Sequence, residues 1–147
     1  MSDPRPPRYL KPMNRIVRAI QKLGIPAGPS QILTVPGRRS GKPRSTPMTP
    51  FTHNGALYTV AGYPGADWAA NARAAGTGTL TRGRKSRRIT IVELSPQEAR
   101  PVLRSFAVEV PVGVGFAKRS GLVREGTPDE FEALAGQLAV FRFDPAG

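Results

Sequence analysis

A small closed or half-closed barrel, mainly β with peripheral helices, is the fold class this sequence predicts. Three observations lead to it. About six short extended stretches alternate with turn signals along the chain. Sixteen glycines and sixteen prolines break the sequence too often for a helical bundle. A length of 147 residues with 39% apolar content gives room for one domain around one core, spanning residues 1–147.

The elements follow in order. Residues 9–23, within an N-terminal helix region of residues 1–24, place Met13, Ile16, Val17 and Ile20 at helical spacing, with Arg15, Arg18 and Lys22 on the other side. Gly24 and Pro26 end this amphipathic helix. The expectation is that its apolar stripe packs on the barrel, although a basic amphipathic helix can also lie on anionic lipid. Residues 31–35 form a short apolar strand, stopped by Pro36-Gly37, and residues 38–44 form a basic loop. The chain then runs extended from Ser45 to Thr52, turns at Asn54-Gly55 and returns over residues 56–61, an Asn-Gly hairpin. Pro47 and Pro50 put the first of these strands at an edge or a bulge.

Residues 67–75 are alanine-rich and read as a helix stopped by Gly76. Residues 77–81 and 86–94 make a second hairpin across Arg82-Gly-Arg-Lys. Ser95-Pro96-Gln97-Glu98 is a capping box opening a helix to about Phe106, and Thr127-Pro-Asp-Glu130 opens another to about Ala135. Residues 110–116 are broken by glycines and are expected to be loop. A last strand covers residues 138–143.

Composition narrows the chemistry. Without cysteine there is no disulfide framework, thiolate metal site or cysteine nucleophile. His53 is the only histidine and sits beside a predicted turn, so no metal site is expected. The acids Asp129, Glu130 and Glu132 crowd a helix start, where they belong for dipole reasons. No catalytic side chain stands out. With no apolar run long enough to span a bilayer and no secretory h-region at the start, a cytoplasmic location is the expectation.

The formal net charge of +12 is localised. Ten of the lysines and arginines fall within residues 1–44, where Asp3 is the only acid, and Arg82, Arg84, Lys85, Arg87 and Arg88 form a second cluster. Nucleic acid, an anionic membrane surface and a polyanionic small ligand all fit such charge. The loop Gly37-Arg38-Arg39-Ser40-Gly41-Lys42-Pro43-Arg44 joins backbone donors, a hydroxyl and four cations in eight residues, which suits an anion site. Its spacing is not that of a Walker loop.

The run Thr34-Val-Pro-Gly-Arg-Arg-Ser-Gly-Lys-Pro-Arg-Ser-Thr-Pro47 resembles the signature of the deazaflavin (F420)-dependent nitroreductase family. So does the second block, Ala61-Gly-Tyr-Pro-Gly65 followed by Asp67-Trp68-Ala-Ala-Asn71, over about residues 31–94, and Val140-Phe-Arg-Phe-Asp-Pro145 resembles that family's C-terminal strand. The resemblance implies a split β-barrel of about six strands, binding coenzyme F420, a 5-deazaflavin with a phosphate and an oligoglutamate tail. In that reading Arg38, Arg39, Ser40 and Arg44 hold the phosphate, and Lys42 serves the tail. Ser45, Thr46, Pro47, Met48 and Thr49 run along the ring, and Ala61, Gly62, Tyr63 and Pro64 line its other edge. Asp67, Trp68 and Asn71 close the site.

The second block departs from the commoner pattern, with Gly62-Tyr63-Pro64-Gly65 in place of Ser-Lys/Asn-Gly-Gly. Residues 110–116 lack the tyrosine that some members place near the acceptor, which leaves Tyr63 or Phe116 to shape the pocket and no residue assigned as proton donor. The implied activity is hydride transfer from reduced F420 to an activated double bond, a quinone or a nitro group. A separate F420-reducing dehydrogenase is then an indirect partner through the shared cofactor. Two alternatives are an FMN-binding split-barrel oxidoreductase and a basic nucleic-acid-binding barrel. The second is disfavoured because the strands lack the aromatic pattern of single-strand readers. Weak membrane-surface contact through the N-terminal helix, or none, completes the expectations.

Overall fold

The computed structural model describes residues 31–146. The expected N-terminal helix, residues 9–23, lies outside them. Seven strands and four helices follow one another: β1 (Gln31–Pro36), β2 (Pro43–Met48), β3 (Phe51–His53), β4 (Ala56–Val60), α1 (Asp67–Ala75), β5 (Thr77–Arg82), β6 (Lys85–Glu93), α2 (Pro96–Glu109), α3 (Pro111–Arg119), α4 (Pro128–Glu132) and β7 (Val140–Pro145). The strands form one sheet in the order β2-β1-β5-β6-β7-β4-β3, and every neighbouring pair is antiparallel.

The two edge strands explain the shape. β2 and β3 stand at opposite edges of the sheet, yet only Thr49 and Pro50 separate them in sequence. The three steps from Met48 to Phe51 span at most about 11 Å when extended, so the sheet curls until its edges come close. The result is a half-closed barrel with a seam at Thr49-Pro50. Seven strands stand where about six were expected, because one expected strand divides. Residues 45–52 read as one extended run because both pieces are β-like, but Pro50 cannot donate to a ladder and the run divides there. Pro47 takes the edge position expected of it.

Apolar side chains divide between the two faces of the curled sheet. Leu33, Leu80, Ile89, Ile91, Phe141 and Phe143 pack together with Ala66, Ala69 and Ala72 of and beside α1. On the other side Phe51 and Val140 meet Val102, Leu103, Phe106, Phe131 and Leu134 from the helices. The alternation of Val140 and Phe141 between the two clusters is the period of two that a strand imposes.

Local signals locate most boundaries. The β3–β4 turn has Asn54 at φ 50° and Gly55 at φ 81°, the left-handed pair that an Asn-Gly hairpin needs. Both capping boxes form. Ser95 Oγ accepts from the Glu98 N–H at 3.2 Å, and the Glu98 carboxylate accepts from the Ser95 N–H at 2.9 Å. Thr127 Oγ1 accepts from the Glu130 N–H at 3.2 Å. The helix they open at Pro128 ends at Glu132, earlier than expected.

The segment expected to be loop at residues 110–116 is mostly helical, as α3 (Pro111–Arg119). Pro111 begins it at a position where a missing N–H costs nothing. Its glycines lower helix propensity, but tertiary packing decides: a side chain at Gly113 would collide with the Phe106 ring. No helix among the described residues is long and apolar enough to cross a membrane.

Candidate functional site

The basic loop is a compact turn tied to α1. Gly37 N–H donates to the Lys42 carbonyl at 2.8 Å and Gly41 N–H to the Gly37 carbonyl at 2.9 Å. Ser40 Oγ accepts from the Lys42 N–H at 3.1 Å. The buried Asn71 side chain accepts through Oδ1 from the Arg38 backbone N–H at 3.0 Å and from the Arg38 guanidinium at 2.8 Å. Asp67 takes the same guanidinium at 2.9 Å. Arg38, Asp67 and Asn71 therefore form a clasp that holds the loop against the first turns of α1. Both bonds that the Asn71 Oδ1 accepts come from Arg38, so this oxygen serves the loop. Arg39, Ser40, Lys42 and Arg44 remain exposed on the outer surface of the loop and the start of β2.

At the other end of β2 the seam opens into a slot of about 230 Å³. Pro47, Met48 and Thr49 line one side, Thr59, Val60, Ala61 and Gly62 another, and Trp68 borders it. Trp68 is held against Phe141, ring centroids 5.6 Å apart. The remaining wall comes from Phe106, Val110, Val112, Gly113, Phe116 and Ala117 of α2, α3 and the junction between them, together with Phe131 of α4 and Leu138. Among these lining residues the polar side-chain groups are the threonine hydroxyls and the Trp68 indole N–H, and none is charged.

A larger cleft of about 620 Å³ lies on the far side of the Ala61–Gly65 turn, between α1 and the first turn of α2. Two of its charged residues pair with each other. Arg73 grips Glu93 through two bonds of 2.6 and 2.7 Å, and this holds the Glu93 carboxyl below its ordinary range. Despite its size this cleft lacks the convergence of expected residues seen at the seam.

Of the residues singled out from sequence, Pro47, Met48, Thr49, Ala61, Gly62 and Trp68 meet in the slot. Tyr63 lines the larger cleft instead. Ser45 hydrogen-bonds Thr34 at 2.8 Å across β1 and β2, and Pro64 and Thr46 line neither space. His53 stays at the β3–β4 turn beside Tyr58 and Asn54. No cluster of metal-ligating side chains occurs among the described residues. Sequence reasoning missed the helical wall, apart from Phe116. Reading Pro111 as a helix start would have placed Val112 and Phe116 one turn apart on the same side.

A curled antiparallel barrel with an apolar slot at its seam and an anion-suited loop one strand away defines the split-barrel class of flavin and deazaflavin oxidoreductases. Solved structures agree on the fold. An F420-H2 dependent reductase (FDR-A) is 24% identical, with 79% of this chain and 94% of that chain covered at a TM-score of 0.53. A structure described as a domain-swapped dimer is 21% identical, covering 89% of this chain and 98% of that one at 0.55. A pyridoxamine 5'-phosphate oxidase-related, FMN-binding protein from Nostoc punctiforme is 15% identical, with 90% and 78% covered at 0.53. No curated protein is similar enough to count as a match.

Residues 9–123 match the family described as F420H(2)-dependent quinone reductase, and the chain belongs to that family. It is an oxidoreductase that uses F420H2 as reductant and a small molecule as acceptor. The FMN-binding protein is a relative in fold alone.

Proposed function

We propose that the slot receives the deazaflavin ring and that Arg39, Ser40, Lys42 and Arg44 hold the phosphate and the tail. The observation that carries this reading is the placement of both features on one strand. Arg44 and Met48 mark the two ends of β2, roughly 13 Å apart at about 3.3 Å per residue. A slot of about 230 Å³ falls below the roughly 300–1,000 Å³ of pockets that take a whole drug-sized ligand. It fits a ring whose anionic chain leaves along β2 toward the cations. The residues present thus suit F420, and the three exposed cations Arg39, Lys42 and Arg44 offer more positive charge than the single phosphate of FMN requires.

When bound, reduced F420 supplies the hydride. The chain's own contribution is positioning and exclusion of water. Met48, Pro47 and Trp68 fix the ring plane by contact, and the clasp of Asn71 and Asp67 on Arg38 sets the loop that anchors the tail. Phe116 and Val112 bound the remaining side of the slot, where an acceptor approaches. The acceptor is a quinone or another activated planar group, and its proton comes from water. The whole chain works as one deazaflavin-binding domain in the cytoplasm. A separate F420-reducing dehydrogenase restores the reduced cofactor, membrane contact is weak or absent, and no nucleic acid is involved.

The test follows the cofactor's visible absorbance during turnover. The protein is expected to oxidise reduced F420 with a simple quinone or an activated enone and to act poorly with reduced FMN. Steep, salt-dependent binding of single-stranded nucleic acid by a protein that ignores both flavins would replace this reading with a basic nucleic-acid-binding barrel.

A further inference from the structure

Phe116 is a half-exposed aromatic side chain in the wall of the slot. It stands on α3, while Gly62 stands opposite in the turn that follows β4, and both line the slot. A methyl group built on Gly62 would lie 3.3 Å from Phe116 Cε2 and 3.6 Å from Cδ2, so the ring borders the space that a side chain at Gly62 would take. Phe116 nevertheless keeps 44% of its surface exposed and neighbouring Val112 keeps 65%. A large aromatic ring is thus half in solvent and half in the slot, although 24 hydrophobic side chains elsewhere in the described residues are buried.

From this contact we infer that Phe116, closing on Gly62, is the specificity-determining residue for the acceptor: it admits planar acceptors edge-on and turns away those with bulky substituents flanking the reacting group. The inference rests on the slot being the ring site. The physical grounds are contact distance and chemistry. Phe116 has no hydrogen-bonding group, so it selects by shape alone, and apolar shape selection is worth modest discrimination per methylene. Gly62 matters because any side chain there narrows the same gap or pushes the ring outward, where 3.3 Å is tighter than ordinary contact.

The experiment compares kcat/KM for unsubstituted benzoquinone and for a 2,3,5,6-tetramethyl quinone in wild type, Phe116→Ala, Phe116→Leu and Gly62→Ala, with F420 affinity measured separately. The expected result is a ratio of tetramethyl to unsubstituted quinone that rises about tenfold or more in Phe116→Ala and less in Phe116→Leu. The change should lie mainly in KM for the bulky quinone, and it should exceed any accompanying change in the dissociation constant for F420. Gly62→Ala should move the ratio the other way, and Phe116→Ala added to it should restore the bulky substrate. An unchanged ratio in all variants overturns the inference, and so does a loss of F420 affinity that parallels every change in rate. If wild-type protein binds no F420, the reading of the slot itself has failed. If it binds and turns over but the ratio does not respond, only the role of Phe116 has failed.

Discussion

Asn71 and Arg44 show how two residues of one presumed site can do different work. Asn71 was legible as important from its place in the resemblance, but not its task, because the partner it holds is 33 positions away in the loop. Its carboxamide oxygen accepts two part-buried bonds from Arg38, one of them from the charged guanidinium. Arg44, exposed near the start of β2, makes no comparable structural bond. Replacing Asn71 by alanine should therefore lower folding stability by about 1.5–3 kcal/mol, the range for a hydrogen bond to a charged group. Arg44→Ala should leave stability nearly unchanged while weakening F420 binding by about 1.5–3 kcal/mol, the range for a hydrogen bond to a charged group. Denaturant unfolding and fluorescence titration on both variants check the contrast. If Asn71→Ala unfolds like wild type and loses only affinity, Asn71 contacts the cofactor after all.

Elements whose ends are set by adjacent residues were legible, and elements set by distant contacts were not. The Asn54-Gly55 hairpin and the two capping boxes appear where the sequence put them, since each depends on residues within a few positions of one another. The helix α3 did not, because Gly113 and Gly115 speak against a helix locally and only the Phe106 ring behind Gly113 makes sense of them. That one misreading hid most of the slot's far wall. The α4 start goes further than a capping box. Besides Thr127, the Glu130 carboxylate accepts from the N–H groups of Arg124, Glu125 and Gly126 at 2.7, 2.9 and 2.8 Å.

These backbone donors, those of Arg124 and Thr127 foremost, pull its pKa from the ordinary 4.5 down to about 2. A pKa lowered by folding means that the ionised form stabilises the native state above pH 4.5, and that this contribution fades as pH falls toward 2. Glu130→Gln should accordingly melt below wild type at pH 7, with the gap narrowing steadily between pH 4.5 and pH 2. A gap that stays constant across that window would show that the carboxylate's charge is not what orders residues 124–127.

At the scale of the whole molecule, function depends on the sheet curling until β2 and β3 meet across two residues. The seam brings Met48 and Thr49 opposite Ala61 and Gly62, although β2 and β4 are separated by most of the sheet order. Sequence motifs supplied both sides of the slot without showing that a closing sheet would bring them face to face. Closure also sets the electrostatics. With the slot apolar, the proposed reading leaves the attraction for an anionic cofactor to exposed cations on the β1–β2 loop, in a chain whose formal charge is +12. Exposed charges are screened with a Debye length of about 10 Å at 0.1 M salt and about 3 Å at 1 M. Affinity for F420 should therefore fall steeply between about 0.05 and 0.5 M salt, because several tail carboxylates and the phosphate each interact through solvent. Any affinity for FMN should fall less, having one phosphate to lose. Titrations of both flavins across that range give two slopes of log affinity against log salt. The F420 slope should be the steeper, and Lys42→Ala should flatten it while leaving the FMN slope nearly as it was. Equal slopes for the two flavins would mean that the tail does not reach the loop, and that the cations of residues 38–44 serve the phosphate alone.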